Sequence, residues 1–231
     1  MKPIFDAPVL KRLSTAEQVA AEIRAILLRG EVPPNTKFPE QELAQRFGVS
    51  RNTMREALLL LRSQGLIRHQ LHRGAVVTEL DDAAIVDVSQ ARRVLEQIAV
   101  AAAVQAPEER LQPMLDALDD MAHAPTTEAF LEADQRFHQA IVACLNSERV
   151  NQFFVGIQTE QTLVGAWRGD ESRTDLIYQS HKEVADAIVA RDLERAHALV
   201  TAIVDSAENR LRQAGSRAAM SDHLTPTTVE Q

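Results

Sequence analysis

The chain has 231 residues, 45% of them hydrophobic, one cysteine and a formal net charge of -8. That length suits two modest cores, a lone Cys144 excludes an internal disulfide and points to a reducing compartment, and no run approaches the roughly 20 apolar residues that cross a bilayer. With an N-terminus that lacks the apolar core of a signal peptide, the expectation is a cytoplasmic protein with no membrane partner.

Charge is divided unevenly. Residues 1–78 hold 12 Lys+Arg against 7 Asp+Glu, and residues 79–231 hold 13 against 26, so a basic module precedes an acidic one. Such asymmetry suits polyanion binding by one half. Four of the eight glycines, Gly30, Gly48, Gly65 and Gly74, fall in the first 74 residues and none between 75 and 155. Short elements therefore precede long helices.

In chain order, Val19, Ile23, Ile26 and Leu27 share one face of a helix over residues 15–29, ended by Gly30, and Pro33-Pro34 force an extended turn. A short helix over 40–47 carries Leu43, Ala44 and Phe47 inward. Gly48-Val49 then make a tight turn, and Ser50 offers its hydroxyl as N-cap to a helix over 51–64. There Met54, Ala57, Leu58 and Leu61 form one stripe and leave Arg51, Asn52, Arg55 and Arg62 outside it. Residues 66–70 and 75–78, around Leu71-His72-Arg73-Gly74, read as a hairpin with a basic tip. The pattern is a helix-turn-helix with a wing.

A recognition helix enters the major groove N-terminus first, because its free N–H groups and positive dipole end favour phosphate and its first side chains reach base edges. Arg51, Asn52, Thr53 and Arg55 occupy that turn. Arginine binds guanine and asparagine binds adenine bidentately, for about 1–3 kcal/mol of discrimination each, while threonine suits phosphate.

From Gly30 the chain reads GEVPPNTKFPEQELAQRFGVSRNTMREALLLLRSQGLIRHQLHRGAVV. Over Glu22 to Thr78 it resembles the GntR-type regulators, whose signature is GELxPxxxLxExxLAxxxGVSRxxxREALxxLxxxGL before a glycine-tipped wing. The resemblance implies DNA contacts from Arg51, Asn52, Thr53 and Arg55, and a wing tip, here Arg73 and Gly74, that probes the minor groove. Many members carry an arginine in an SER segment where this chain has Gln41 in PEQ. Gln41 can still reach a base or phosphate, with weaker anchoring or a different operator base. For Arg62 and Arg68, solvated surface and backbone contact stay equally open. One such module buries too little surface for tight specific binding, so the family's homodimer on a pseudo-palindromic operator in double-stranded DNA is expected.

Six helices follow, over 82–106, 107–124, 126–144, 148–167, 173–191 and 192–214, separated by Pro107, Pro125, Asn146-Ser147 and Arg168-Gly169. Residues 215–231 lack apolar periodicity and are expected to form a disordered tail, in which His223 is incidental. The fold class is mainly α, with a winged helix-turn-helix over 1–78 and an antiparallel all-helical bundle over 79–214. Phe130, Asp134, Phe137, His138 and Ile141 share one stripe, so Asp134 and His138 project inward together, and a buried carboxylate needs a partner. His181 lies on a similar stripe with Ile177, Val184, Ala185 and Ile188.

RRVLE at Arg92, DQRFH at Asp134 and SHKEVADAIVARD at His181 resemble pieces of the FCD ligand-binding domain of the FadR-like branch, and six helices match its VanR-like subgroup. The resemblance implies that residues 79–214 dimerise and bind a small carboxylate effector. It also implies one divalent metal of the Zn, Ni or Mn class, held by an aspartate, a histidine four residues on and two later histidines, with no organic cofactor. Asp134, His138 and His181 match three of these, but Ile203 stands at the fourth, among Leu199, Val200, Val204 and Ala207, and His197 and Asp205 project elsewhere. Two readings stay open: three protein ligands completed by water or an effector carboxylate, or a metal-free polar patch that receives an organic ligand. Arg92 matches the arginine of the family's RxxxE helix and suits a carboxylate; a solvated pair with Glu96 across one turn is the alternative. The expectation is a ligand-responsive transcription regulator, most often a repressor in this family. An enzyme would need a positioned base, nucleophile or oxyanion donor beside the three ligands, and none is apparent. An effector-blind DNA-binding dimer is the competing reading.

Overall fold

The computed structural model describes residues 13–168 and 174–222, with side chains to residue 214. Among these residues it is mainly helical, with nine helices and one two-stranded sheet. The chain forms two compact units, Met1–Thr78 and Glu79–Gln231.

The first unit holds α1 (Thr15–Leu28), α2 (Glu40–Arg46), α3 (Arg51–Ser63), β1 (Ile67–Gln70) and β2 (Gly74–Val77). A capping box starts α1, in which the Ser14 hydroxyl accepts from the Glu17 N–H and the Glu17 carboxylate accepts from the Ser14 N–H. Val19, Ile23 and Leu27 of α1 are buried, as are Met54, Ala57 and Leu61 of α3, against which α1 packs. Each large side chain among them contributes about 1.5–3 kcal/mol on burial. Gly48 turns the chain between α2 and α3 at φ +64, and a Cβ there would meet nothing within 4 Å. The left-handed backbone alone therefore asks for glycine.

The hairpin pairs Ile67 with Val77 through to Gln70 with Gly74, antiparallel. Residues 35–38 also run beside β2, with a bridge from Lys37 to Val76, the Phe38 N–H on the Ala75 carbonyl and the Val77 N–H on the Thr36 carbonyl. The extended stretch after Pro33-Pro34 thus completes the wing's base. That pairing joins segments far apart in sequence and leaves no local signal.

The second unit comprises α4 (Asp82–Gln105), α5 (Glu108–Ala122), α6 (Thr127–Ala143), α7 (Glu148–Arg168), α8 (Thr174–Val189) and α9 (Leu193–Asp222). Ala99, Leu111, Phe137, Phe154, Ile188 and Val200 bring all six helices into one apolar core. A smaller cluster joins Leu80, Ile85, Val164 and Leu211. Between the two, the buried stripe of α4 turns polar at Ser89, Arg92 and Glu96. The expected tail from Gly215 needs correction over its first part, because α9 continues to Asp222. The Ala, Arg and Met residues of 217–220 favour helix, and one glycine costs only about 1 kcal/mol against them. Residues 223–231, with the rest of that expectation and His223, lie outside the described residues. No described helix is long and apolar enough to cross a membrane.

Candidate functional site

In the first unit the N-terminal turn of α3 presents Arg51, Asn52 and Arg55 to solvent, with Thr53 half-buried; Gln41 is exposed on α2, Arg73 is exposed in the hairpin turn and Gly74 opens β2 at φ +78. Several of these side chains are already oriented by neighbours. Arg55 donates twice to Glu40, at 3.2 and 3.1 Å, and Asn52 donates to Glu56 at 2.8 Å. The Thr53 hydroxyl lies 2.9 Å from the Ser50 hydroxyl, while Arg73 reaches Gln70 and the Asn35 carbonyl. Exposed pairs of this kind contribute about 0–1 kcal/mol, weak enough for a phosphate or base edge to replace them. Glu40 and Asn35 lie 15 and 38 residues from their partners, which is why spacing along the chain does not reveal them.

In the second unit α6 and α8 bring Asp134, His138 and His181 together, with one ligand atom from each within 4.8 Å of the others. His181 Nε2 is 2.9 Å from Asp134 Oδ1 and 2.9 Å from His138 Nε2. Behind the rings, His181 Nδ1 lies 2.7 Å from the Ile177 carbonyl and His138 Nδ1 lies 2.7 Å from Glu96 Oε2, the latter at an angle short of an aligned hydrogen bond. A carbonyl only accepts, so Nδ1 of His181 carries a proton, and the Glu96 carboxylate favours the same tautomer in His138. Burial holds the His138 pKa below its ordinary value despite Glu96. Two Nε2 atoms and a carboxylate oxygen therefore converge on one point, and a positive charge must sit among them. A divalent cation can supply it, with the Nδ1 contacts as the backing partners that metal-bound imidazoles usually have. Burial would raise the Asp134 pKa, but facing His181 holds it well below the carboxylate range. Asp134 keeps 24% of its side chain exposed, whereas both histidines are enclosed.

Glu96 is the residue that sequence reasoning undervalued. It is fully buried, and its Oε1 accepts from Arg92 Nε at 2.7 Å. Burial alone would raise its pKa, yet Arg92 and His138 bring it down to about 2. Arg92 is 5% exposed, so the solvated pair offered as an alternative does not form: the pair exists and points inward. A second hydrogen bond joins Arg92 Nη1 to Gln161 of α7. Neither Arg92 Nη2 nor Ser89 Oγ has a partner, though both are buried, and such atoms cost about 1–3 kcal/mol each. Gln158, one turn from Gln161, accepts from Gln139 at 2.8 Å and donates to the Gln135 carbonyl at 3.2 Å, and Gln135 donates to Thr162. Ile203 packs on the core; His197 bonds the Gln97 carbonyl and Asp205 binds Arg93.

Residues 87–206, more than half of the chain, match the FCD domain, and residues 15–77 match the bacterial regulatory proteins of the gntR family. The galactonate operon transcriptional repressor of Escherichia coli (strain K12) is 28% identical over 225 residues, covering 87% of this chain and 98% of the repressor. The gluconate operon transcriptional repressor of Bacillus licheniformis is 32% identical over 141 residues, 59% of this chain and 58% of that one. A GntR transcriptional regulator from Rhodococcus sp. RHA1 has a similar structure, with a TM-score of 0.73 at 26% identity over 87% of this chain and 99% of that one.

Proposed function

Because this chain belongs to the gntR family of bacterial regulatory proteins and carries the FCD domain, we propose that it is a transcriptional repressor that binds a pseudo-palindromic operator in double-stranded DNA as a homodimer and releases it when a sugar acid occupies the second unit. The observation that carries the sensing half is the polar band inside an otherwise apolar bundle: Ser89, Arg92 and Glu96 of α4, Asp134 and His138 of α6, Gln158 and Gln161 of α7, and His181 of α8. Partly satisfied buried polar groups are destabilising unless a ligand completes them. A carboxylate suits Arg92, and the hydroxyls of an aldonate suit the amides of Gln158 and Gln161. The two relatives named for galactonate and gluconate operons support that class.

Asp134, His138 and His181 are suited to hold a divalent cation, which when bound would supply a positive centre for an effector oxygen at the position that Ile203 leaves without a protein ligand. His181→Ala should abolish any divalent metal retained through mild purification, measured by elemental analysis, and leave DNA binding intact. Metal retained at full stoichiometry would remove His181 from the ligand set.

On the DNA side, Arg51, Asn52, Thr53, Arg55, Arg73, Gly74 and Gln41 form the reading surface. Val94 and Ile98, one turn apart and exposed on α4, support pairing with a second copy, since exposed apolar side chains favour being covered. α7 offers a route for coupling. It carries Gln158 and Gln161 in the polar band, and at its far end Arg168 bonds Asp82 at 2.8 Å and the Leu211 and Leu80 carbonyls, while Val164 packs with Leu80 and Ile85. Leu80 follows the first unit's last residue, Thr78, by only two positions. Arg168→Gln should leave D-galactonate affinity unchanged, as measured by calorimetry, and at least halve the ligand's effect on operator affinity. An undiminished effect would place the coupling elsewhere.

The repressor reading is tested by gel retardation with the DNA upstream of the chain's own gene, at low salt and with unrelated competitor DNA. A shifted band resistant to competitor and weakened by D-galactonate is the expected result. No shift under any of these conditions would contradict it.

A further inference from the structure

We infer that Ser89 and Arg92 Nη2 form a buried carboxylate notch on α4 that ligand entry opens, in which Ser89 is a specificity-determining ligand for the acid group of the effector. The inference rests on the sugar-acid reading above and adds a residue to it. The buried face of α4 runs Ile85, Ser89, Arg92, Glu96 and Ala99, apolar at both ends and polar at its centre. Ser89 and Arg92 are three residues apart and so share a face of α4. Glu96 occupies Arg92 Nε and Gln161 occupies Nη1, which leaves Nη2 as the free donor.

The serine is the informative member. A helical hydroxyl ordinarily satisfies itself on the carbonyl four residues back, as Thr159, Thr162, Ser180 and Thr201 all do in this bundle. Ser89 Oγ, 1% exposed as a residue, makes no such bond. Its hydroxyl is left without a partner in a place that water does not reach, so a carboxylate meets it only as the surrounding side chains move aside. A carboxylate supplies two acceptor oxygens, one for Nη2 and one for Ser89, and the remaining hydroxyls of a sugar acid then lie toward Gln161 and its neighbours on α7. An uncharged polyol lacks the group that both donors require.

The test uses the full-length chain, thermal melting and calorimetry, with D-galactonate, acetate and galactitol as probes and bound-metal content as a check on the Asp134–His138–His181 cluster. D-Galactonate should stabilise the wild type and galactitol should not. Ser89→Ala should melt at the same or a higher temperature without ligand, keep its metal content, and bind D-galactonate about tenfold more weakly, as expected on losing one hydrogen bond to a charged group. Unchanged D-galactonate affinity in Ser89→Ala overturns the notch and leaves the sugar-acid reading standing. A lower ligand-free melting temperature in that variant overturns the notch as well, because the hydroxyl is then structurally satisfied. A wild type stabilised by neither D-galactonate nor acetate overturns both the notch and the reading beneath it.

Discussion

Glu96→Ala should destabilise the second unit by about 3–5 kcal/mol, the cost of stranding one member of a buried ion pair. Glu96 has no exposed surface and Arg92 almost none, so removing the carboxylate leaves a guanidinium charge with Gln161 as its one remaining partner and His138 Nδ1 without its counter-group. In a unit of this size the melting temperature should fall by about 10 °C. The single tryptophan, Trp167, lies on α7, so its fluorescence during urea unfolding follows this unit separately from the first. A double change, Glu96→Leu with Arg92→Met, should recover much of the loss, because an apolar replacement removes both desolvation penalties. A loss under 1 kcal/mol for Glu96→Ala would mean that water reaches the pair. The same geometry sets an acid limit in the metal-free chain. The Glu96 pKa is depressed to about 2 from 4.5, so its contribution is fully present above pH 4.5 and disappears as pH falls toward 2. The His138 pKa is also lowered from 6.5, so the unfolded chain takes up that proton first and stability begins to fall below pH 6.5.

Arg55→Ala should weaken specific operator binding by about 100-fold, near the upper end of what one bidentate arginine–guanine contact gives. The upper end applies because the loss is compounded. Arg55 is the partner of Glu40, and without it an unpaired carboxylate faces the phosphates of an approaching duplex. Fluorescence anisotropy with the operator and a scrambled duplex should show a larger loss for the operator, and adding Glu40→Ala should restore part of it. Equal losses on both duplexes would make Arg55 a phosphate contact, with no part in base reading.

How far the sequence reveals this arrangement depends on the range of the interactions. The helix-turn-helix is legible because its determinants are local: Gly48 at a left-handed turn, Ser50 as a cap whose Oγ accepts from the Thr53 N–H at 3.1 Å, and the apolar stripe of α3. Asp134 and His138 are legible together for the same reason, four residues apart on one helix face. Glu96 is not, since an acid four residues after an arginine looks like any solvated surface pair until the surrounding helices bury it. The glutamines of α7 are equally quiet. Gln158 takes a buried position beside Leu163 and Val164, which blurs the apolar periodicity that would otherwise mark the inward face. Residues 35–38 beside the wing depend on a non-local pairing and carry no periodic signal. The Ile203 position is legible as a departure from the resembled pattern, and there the side chain packs on the core.

We propose that the polar band of the second unit controls DNA binding by the first. The most direct test of that control is the operator affinity of the full-length chain by fluorescence anisotropy, at one fixed salt concentration, with and without saturating D-galactonate. The predicted result is an affinity about tenfold lower with the sugar acid, a coupling of ordinary size, matched by an equal loss of D-galactonate affinity when operator is present. An operator affinity that stays the same while calorimetry shows the sugar acid bound would contradict it.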